Sequence, residues 1–416
     1  MSLFVVGNCV MQAQTDSTVN VISVTDKNGA NQVIELPEAM TTEIDSLMGL
    51  YMSKSYLYED NDCQTAEVGP TFPKEVYIDR LSRIPSIIEM PYNDVVQQMI
   101  DRYAVRLRRS VSYMLGTSNF YMPIFEQALE AYGLPLELKY LPVIESALNP
   151  VAVSRARATG LWQFMLATGR QYGLKVNTLV DERCDPVKSS YAAAHFLSDL
   201  YKIFGDWHLV IAAYNCGPEN VNKAIRRSNG VKDYWQIYPY LPKETRGYVP
   251  AFIAANYIMT YYCEHNICPL RTQLPVYTDT IMVDRNVHFE QIAAYCGIGV
   301  DHIKSLNPSY RKDIVPGLTE LSCIRLPQSY IGKFIDNEDS IYNYKKDVLL
   351  PKRAVVAVND KGGSSYSGSG ARYIRVRNGQ TLGGIARQYG TTVKKLRRLN
   401  GLRNNNIRAG KRLRVR

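Results

Sequence analysis

The chain of 416 residues has no run of the ~18 apolar residues that a membrane-spanning helix requires, so no segment reads as transmembrane. Acid is missing from its end: residues 371–416 hold 14 Lys and Arg and not one Asp or Glu. The formal charge of +10 is therefore local, because the other 370 residues carry 35 basic and 39 acidic side chains, a net of −4. Only the terminal segment has a field that a polyanionic partner would feel. Paired metal ligands are missing too. Cys263-Glu-His-Asn-Ile-Cys268 sets two thiols around His265, but no second pair follows at zinc-like spacing. A local disulfide between Cys263 and Cys268, or two idle thiols, is expected, with no metal and no cofactor. The eight cysteines together would permit disulfides in an oxidising compartment.

What is present begins with a short apolar stretch, Met1-Ser-Leu-Phe-Val-Val-Gly-Asn-Cys-Val-Met-Gln-Ala13. It reads as the end of a secretory signal without its basic start, against the plainer reading of a frayed apolar terminus. Asn8 disfavours lipidation of Cys9. Residues 15–31 are polar and expected to be disordered, so 1–35 is assigned to a signal remnant and disordered segment. Residues 36–110 read as a helical N-terminal extension. Residues 111–270 are more densely helical, punctuated by Gly133-Leu-Pro135 and Gly217-Pro218. Residues 276–328 change to short strand-like and helix-like pieces. A Gly/Ser-rich linker occupies 351–371, and a compact module follows at 372–416.

The sequence also repeats itself. Shifted by 93 positions, Val283 falls on Val376, Ile292-Ala293 on Ile385-Ala386 and Gly297 on Gly390. The same shift puts Val300 on Val393, Ile303 on Leu396, Leu306-Asn307 on Leu399-Asn400 and Gly317 on Gly410. One offset across so many pairs points to two copies of one small unit.

In the second copy, Tyr373 to Arg377 reads as a strand and Thr381 as a helix N-cap. Leu382, Ile385, Ala386 and Tyr389 give one helix face, Val393, Leu396 and Leu399 a second, and Leu413 and Val415 lie in a closing strand. This βααβ unit resembles the LysM family through R-N-G-Q-T-L-x-x-I-A, Y-G-T-T-V, L-x-x-L-N-G-L and I-x-x-G-x-x-L-x-V. The resemblance implies binding of N-acetylglucosamine-containing glycans, with Gly379, Gln380, Thr381, Asn405 and Ile407 at the groove. A nucleic-acid partner would suit the charge density, but peptidoglycan with its acidic peptides suits it equally, and no nucleic acid is expected. The plainest reading is a small stable module made soluble by its cations. In the first copy, Asp284-Arg-Asn-Val-His288 replaces Arg377-Asn-Gly-Gln-Thr381 in register, so the glycan loop is lost or altered and a spacer role is expected.

Tyr140-Leu-Pro-Val-Ile-Glu-Ser-Ala-Leu-Asn-Pro150 places one carboxylate, Glu145, in an apolar segment. Alone, such a Glu is more often a cap or half of an ion pair than a catalyst. Gly160-Leu-Trp-Gln-Phe-Met165, Ala212-Ala-Tyr-Asn-Cys-Gly217 and Glu244-Thr-Arg-Gly-Tyr-Val249 follow it. In that company the segment resembles the family 1 lytic transglycosylases, whose pattern is E-S-x-x-N-P, G-L-x-Q-x-M, A-Y-N-x-G and a late Tyr. The wider context resembles the membrane-bound lytic murein transglycosylase D branch. The resemblance implies a mostly helical goose-lysozyme-like catalytic domain over 111–270 in an α+β multidomain chain, followed by βααβ LysM-like and LysM modules. It also implies cleavage of the β-1,4 bond from N-acetylmuramic acid to N-acetylglucosamine in the cell envelope, on the periplasmic side, with membrane association through an N-terminal signal or anchor.

Glu145 is the implied acid and base. Ser154 would contact the N-acetyl group or the carboxylate, Gln163 and Asn215 would bind acetamido sugars, Met165 and Tyr214 would line the cleft, and Tyr248 would orient Glu145. Between Glu145 and Asp181 there is no second acid. Most glycosidases need two carboxylates, whereas a reaction that closes the sugar's own 6-hydroxyl onto C1 needs one. A hydrolytic muramidase and a binding-only protein are the rivals. Trp162, Phe164, Tyr191, Tyr201 and Tyr257 read as core residues, His195 and His208 lie on helix faces without a ligand set, and Trp207 and Trp235 are expected to be buried more than to stack on sugars.

Overall fold

The computed structural model describes residues 20–25, 31–41, 57–58, 62–272, 274–275, 277–350, 373–376, 380–389, 391–402, 404–407 and 410–415. It divides into two compact units, Met1–Ala357 and Val358–Arg416. The first unit opens with a hairpin, β1 (Val21–Thr25) against β2 (Asn31–Glu35), antiparallel with Ile22 opposite Ile34. This corrects the expectation of disorder at the N-terminus for these residues. Val24 and Ile34 are buried, and burying those alternate positions is what orders a strand of otherwise polar composition. The signal-like residues 1–19 and the linker 351–371 lie outside the described residues.

After a two-residue strand, β3 (Leu57–Tyr58), come α1 (Lys74–Ser82), α2 (Asp94–Asp101) and the long α3 (Arg108–Ala131). Asn93 caps α2 by accepting from the Val96 amide at 3.0 Å. The boundary expected between 110 and 111 falls inside α3, and residues from Val24 to Ile267 share one apolar core. The N-terminal extension is part of the same lobe as residues 111–267. Arg108, buried at the start of α3, donates to the carbonyls of Ala104, Ala66, His265 and Asn266 at 2.6–2.9 Å. It thereby ties early and late chain together next to a disulfide that joins Cys63 to Cys268.

That disulfide overturns the expected Cys263–Cys268 pairing. Cys263 is a free, exposed thiol, and His265 is buried between Phe72 and Tyr257, where burial lowers its pKa to about 4. The rest of the lobe is α4 (Leu141–Ser146), α5 (Leu166–Gln171), α6 (Pro186–Phe204), α7 (Trp207–Cys216), α8 (Pro218–Arg227), α9 (Tyr234–Ile237) and α10 (Lys243–Thr260). Asp185 and Asp206 cap α6 and α7 through their carboxylates. Buried α10 packs on α2, α7 and β2. Trp162, Phe164 and Tyr257 are core residues as expected, whereas Tyr201 is 38% exposed and stacks on half-buried Trp207 at 4.2 Å.

β4 (Arg271–Thr272) returns to pair with β3. The first repeat follows with its own core: β5 (Thr278–Val283), β6 (Asn286–His288), α11 (Phe289–Cys296), α12 (Val300–Leu306), β7 (Ile314–Pro316) and β8 (Ser322–Pro327). It does not end at 328. α13 (Gln328–Asp336), α14 (Glu338–Asn343) and α15 (Lys346–Leu349) continue it, and Phe334, Ile341 and Tyr342 complete its core. In the second unit, β9 (Tyr373–Arg375), α16 (Leu382–Gln388), α17 (Val393–Asn400) and β10 (Arg412–Arg414) form the βααβ unit, with β10 antiparallel to β9. Among the described residues no helix is long and apolar enough to cross a membrane.

Candidate active site

α4 is a short helix whose last turn presents Glu145. It stops in two left-handed residues, Ala147 and Leu148, at φ 49° and 58°, conformations that cost energy in residues with a Cβ and concentrate at functional sites. Ser146 secures the turn, its hydroxyl donating to the Pro142 and Leu161 carbonyls at 3.0 and 2.9 Å. The second contact joins the acid motif to Gly160-Leu-Trp-Gln. Gly160 has φ +89°, and a Cβ there would lie 1.8 Å from the Arg183 carbonyl oxygen, so only glycine fits.

Around Gly160 the chain folds into small bridges, Val153 to Thr159 and Thr159 to Phe164. Ser154 sits in that turn, accepting from the Ala158 amide at 3.0 Å. Gln163, also left-handed at φ 47°, donates its side-chain amide to the carbonyls of Ala152 and Gly160 at 3.2 and 2.8 Å. Met165, 47% exposed, stands beside it.

The opposite side comes from α7 and α10. Tyr214 donates to the Trp162 carbonyl at 2.8 Å, and Asn215 accepts from Thr245 at 2.8 Å. Tyr248, buried on α10, donates its hydroxyl to Glu145 Oε1. All seven residues named from the sequence, Glu145, Ser154, Gln163, Met165, Tyr214, Asn215 and Tyr248, line one cleft of about 1050 Å³.

Burial pushes the Glu145 carboxyl up to about 8; the Tyr248 hydrogen bond opposes this and the Glu244 charge adds to it. A carboxylic acid in this position keeps its proton at neutral pH and has one to give. Burial, reinforced by the Glu145 charge, holds the Tyr248 and Tyr214 phenols well above their ordinary values, so both stay neutral.

Sequence reasoning missed Glu35, Glu38, Arg155 and Glu244, which also line the cleft. Glu244 hydrogen-bonds Asn215, and its carboxyl is pushed up first by burial and then by Glu35 and Glu38. The stretch from Glu145 to Asp181 holds no second acid, but Glu244 folds back from α10 into the cleft. Glu244 precedes Tyr248 by four residues, one helical turn on the same face, a spacing that could have revealed it.

In the second unit, Thr381 caps α16 by accepting from the Gly384 amide at 3.2 Å, Asn405 is exposed and Ile407 packs on the small core. Gln380 lies just before the cap, and Gly379 is outside the described residues.

Comparisons with known proteins agree on the domain content. The family description "Transglycosylase SLT domain" matches residues 122–237, "Lytic transglycosylase MltD, LysM-like domain" matches 277–343, and "LysM domain" matches 374–416. The chain is 28% identical over 333 residues to membrane-bound lytic murein transglycosylase D of Escherichia coli K12, covering 78% of this chain and 70% of that protein. A putative tributyltin chloride resistance protein of an Alteromonas species is 40% identical over 98 residues, 23% of this chain and 47% of its own. Among solved structures, the 70 kDa soluble lytic transglycosylase Slt70 of Escherichia coli superposes on 35% of this chain and 25% of its own, with 26% identity and a TM-score of 0.31.

Proposed function

We propose that the chain is an SLT-domain lytic transglycosylase carrying LysM modules, and that it cleaves the N-acetylmuramic acid–β-1,4–N-acetylglucosamine bond of peptidoglycan without water, leaving 1,6-anhydro ends. The observation that carries this reading is the buried acid Glu145, held by Tyr248 in the cleft and kept protonated by burial. Glu145 gives its proton to the glycosidic oxygen as the C1–O bond breaks. The carboxylate so formed takes the proton of the same sugar's 6-hydroxyl as that oxygen bonds to C1. The proton count closes, and the acid is restored. Gln163, Asn215 and Ser154 hold the acetamido sugars, and the substrate's N-acetyl group assists at C1, one of the exceptions to the two-carboxylate scheme. Residues 372–416 hold the enzyme on the glycan through their groove and charge. We place the protein in the cell envelope, on the periplasmic side, with its N-terminal segment as the means of membrane association.

Glu244 favours a second reading, hydrolysis, because a second carboxyl in the cleft is what a water-activating base requires. Mass analysis of products from purified sacculi separates the two. Anhydro-muropeptides, lighter by one water, support transglycosylation; reducing ends throughout make the protein a muramidase. Glu145→Gln should lower release of either product by roughly 10³–10⁴-fold while circular dichroism and sacculus pelleting stay unchanged. Substantial residual turnover would move the acid elsewhere.

The same variant reports on stability. The folded Glu145 keeps a proton that the unfolded chain releases between the ordinary carboxyl value and about 8. Its contribution therefore turns against the fold as pH rises through that window and levels off above it. Glu145→Gln should unfold at higher temperature than the wild type at pH 8, by an amount that shrinks to nothing near pH 4. A constant difference across that range would contradict the burial cause.

A further inference from the structure

The cleft has a wall that residues 122–237, the matched transglycosylase segment, do not supply. Glu35, Leu36, Pro37, Glu38 and Thr41 line it from the end of β2 and the 3-10 turn Glu38–Met40 that follows.

This wall is wedged between the two helices that carry the central pair. On one side β2 packs on α10 at Gly247. A Cβ at Gly247 would lie 2.6 Å from the Glu35 carbonyl oxygen, 3.0 Å from the Ile34 side chain and 3.2 Å from that of Met99. Only a residue without a side chain lets the strand come this close, one position before Tyr248. On the other side the 3-10 turn packs on α4, whose last turn carries Glu145. Leu36, Ala39 and Met40 are buried there, the Met40 carbonyl accepts from Arg102 Nε, and Glu38 accepts from the Arg155 amide across the cleft at 3.4 Å.

We propose that residues 34–41 are a positioning element of the active site, which keeps water from the Glu145 carboxyl and holds α10 where Tyr248 reaches it. The argument rests on the reading of Glu145 as the acid. The titratable groups facing Glu145 are Tyr248 and Glu244 from α10 and Tyr214 from α7, with Glu35 and Glu38 of the wall acting on Glu244. Burial holds the acid's proton only while bulk water is kept from the carboxyl. The matched segment alone leaves that side of the cleft without a wall.

The test is a carbon-13 NMR titration of the full chain labelled at glutamate carboxyls, with the Glu145 signal identified by its loss in Glu145→Gln. The wild-type midpoint is expected near 8. Leu36→Ala, which thins the wall without touching its charges, and Gly247→Ala, which pushes β2 away from α10, should each lower that midpoint by about one pH unit. Leu81→Ala, a buried truncation on α1 in the same core, should leave it in place. Where Leu36→Ala is too unstable to titrate, Leu36→Val replaces it. An unmoved midpoint in the wall variants, or an equal fall in Leu81→Ala, overturns the proposal. Because the readout is a titration rather than a product, reducing ends from sacculi would refute transglycosylation and still leave this result decisive.

Discussion

The two repeats began as the same sequence pattern and now differ in what surrounds them. Both run strand, helix, helix, strand, and α11 and α12 fall on α16 and α17 under the shift of 93 seen in the sequence. In the second repeat the helix cap is Thr381, the side chains on α17 are cationic, and no acid is present. In the first repeat the corresponding loop is spent internally. His288 caps α11 in a capping box with Gln291, Val287 is buried, and Asn286 accepts from the Leu318 amide at 3.1 Å. Arg285 lies 3.8 Å over the Tyr342 ring and pairs with Glu338 and Asp339 at 3.3 Å each, so α14 sits over the loop.

The first repeat is also fastened to the catalytic lobe. The Asp181 amide donates to the Ser309 carbonyl and the Arg311 amide to that of Leu179, at 2.8 and 2.7 Å. The Asp181 carboxylate takes both Arg183 and Arg311, at 2.9 and 2.5 Å, and Lys175 pairs with Glu320 at 2.7 Å. The comparison teaches that a repeat can keep its fold while its loop is covered and its edge is bonded to a neighbour.

Removing residues 358–416 should break that contrast most visibly. Sacculus binding at low salt should fall by on the order of tenfold or more, since concentrated charge and groove leave together. Cleavage of short soluble glycan chains should survive. Equal loss on both substrates would mean that the terminal unit does more than bind.

The fastening of the first repeat predicts the next largest effect. Asp181→Ala leaves buried Arg183 without its carboxylate and should cost about 3 kcal/mol in denaturant unfolding. Arg311→Ala, on the exposed side of the same group, should cost about 1 kcal/mol. A neutral Asp181→Ala would mean that the repeat is not held there.

The smallest effect sharpens the comparison. Giving the first repeat the second one's loop residues, Asn286→Gly with Val287→Gln and His288→Thr, should create no binding to chitin-type oligomers, because Tyr342 and α14 still cover the loop. A saturable titration comparable to that of residues 372–416 would show that residue identity alone had been limiting.

Legibility in the sequence followed the range of the interaction. Glu145, Gln163 and Tyr214 stand inside short motifs, and the repeat was visible because apolar positions at helical spacing survive where the loop residues differ. Tyr248 required only the family pattern. Glu244 was within reach through its spacing from Tyr248, but the wall at 35–41 was not legible, since its place depends on α10 and β2 meeting more than 200 positions apart. The hairpin of 21–35 was misread because one buried side chain per strand, Val24 and Ile34, suffices to order it. Cys63 and Cys268 could not be paired without the fold, as Cys263 offered a nearer partner by position alone.

The link between Cys63 and Cys268, 205 positions apart, makes the catalytic lobe a covalent ring. Every residue lining the cleft from Ile144 to Tyr248 lies within that ring. A peptide bond cut at any exposed loop inside it opens the circle without releasing a piece, so the two arms stay tethered at one end of α3 and the far end of α10. Such a chain runs as one species until it is reduced, and only then as two fragments. The ring also narrows the unfolded ensemble, worth roughly 5 kcal/mol by loop-closure entropy for a circle of this length. That makes the lobe tolerant of nicks that would dismantle an open chain.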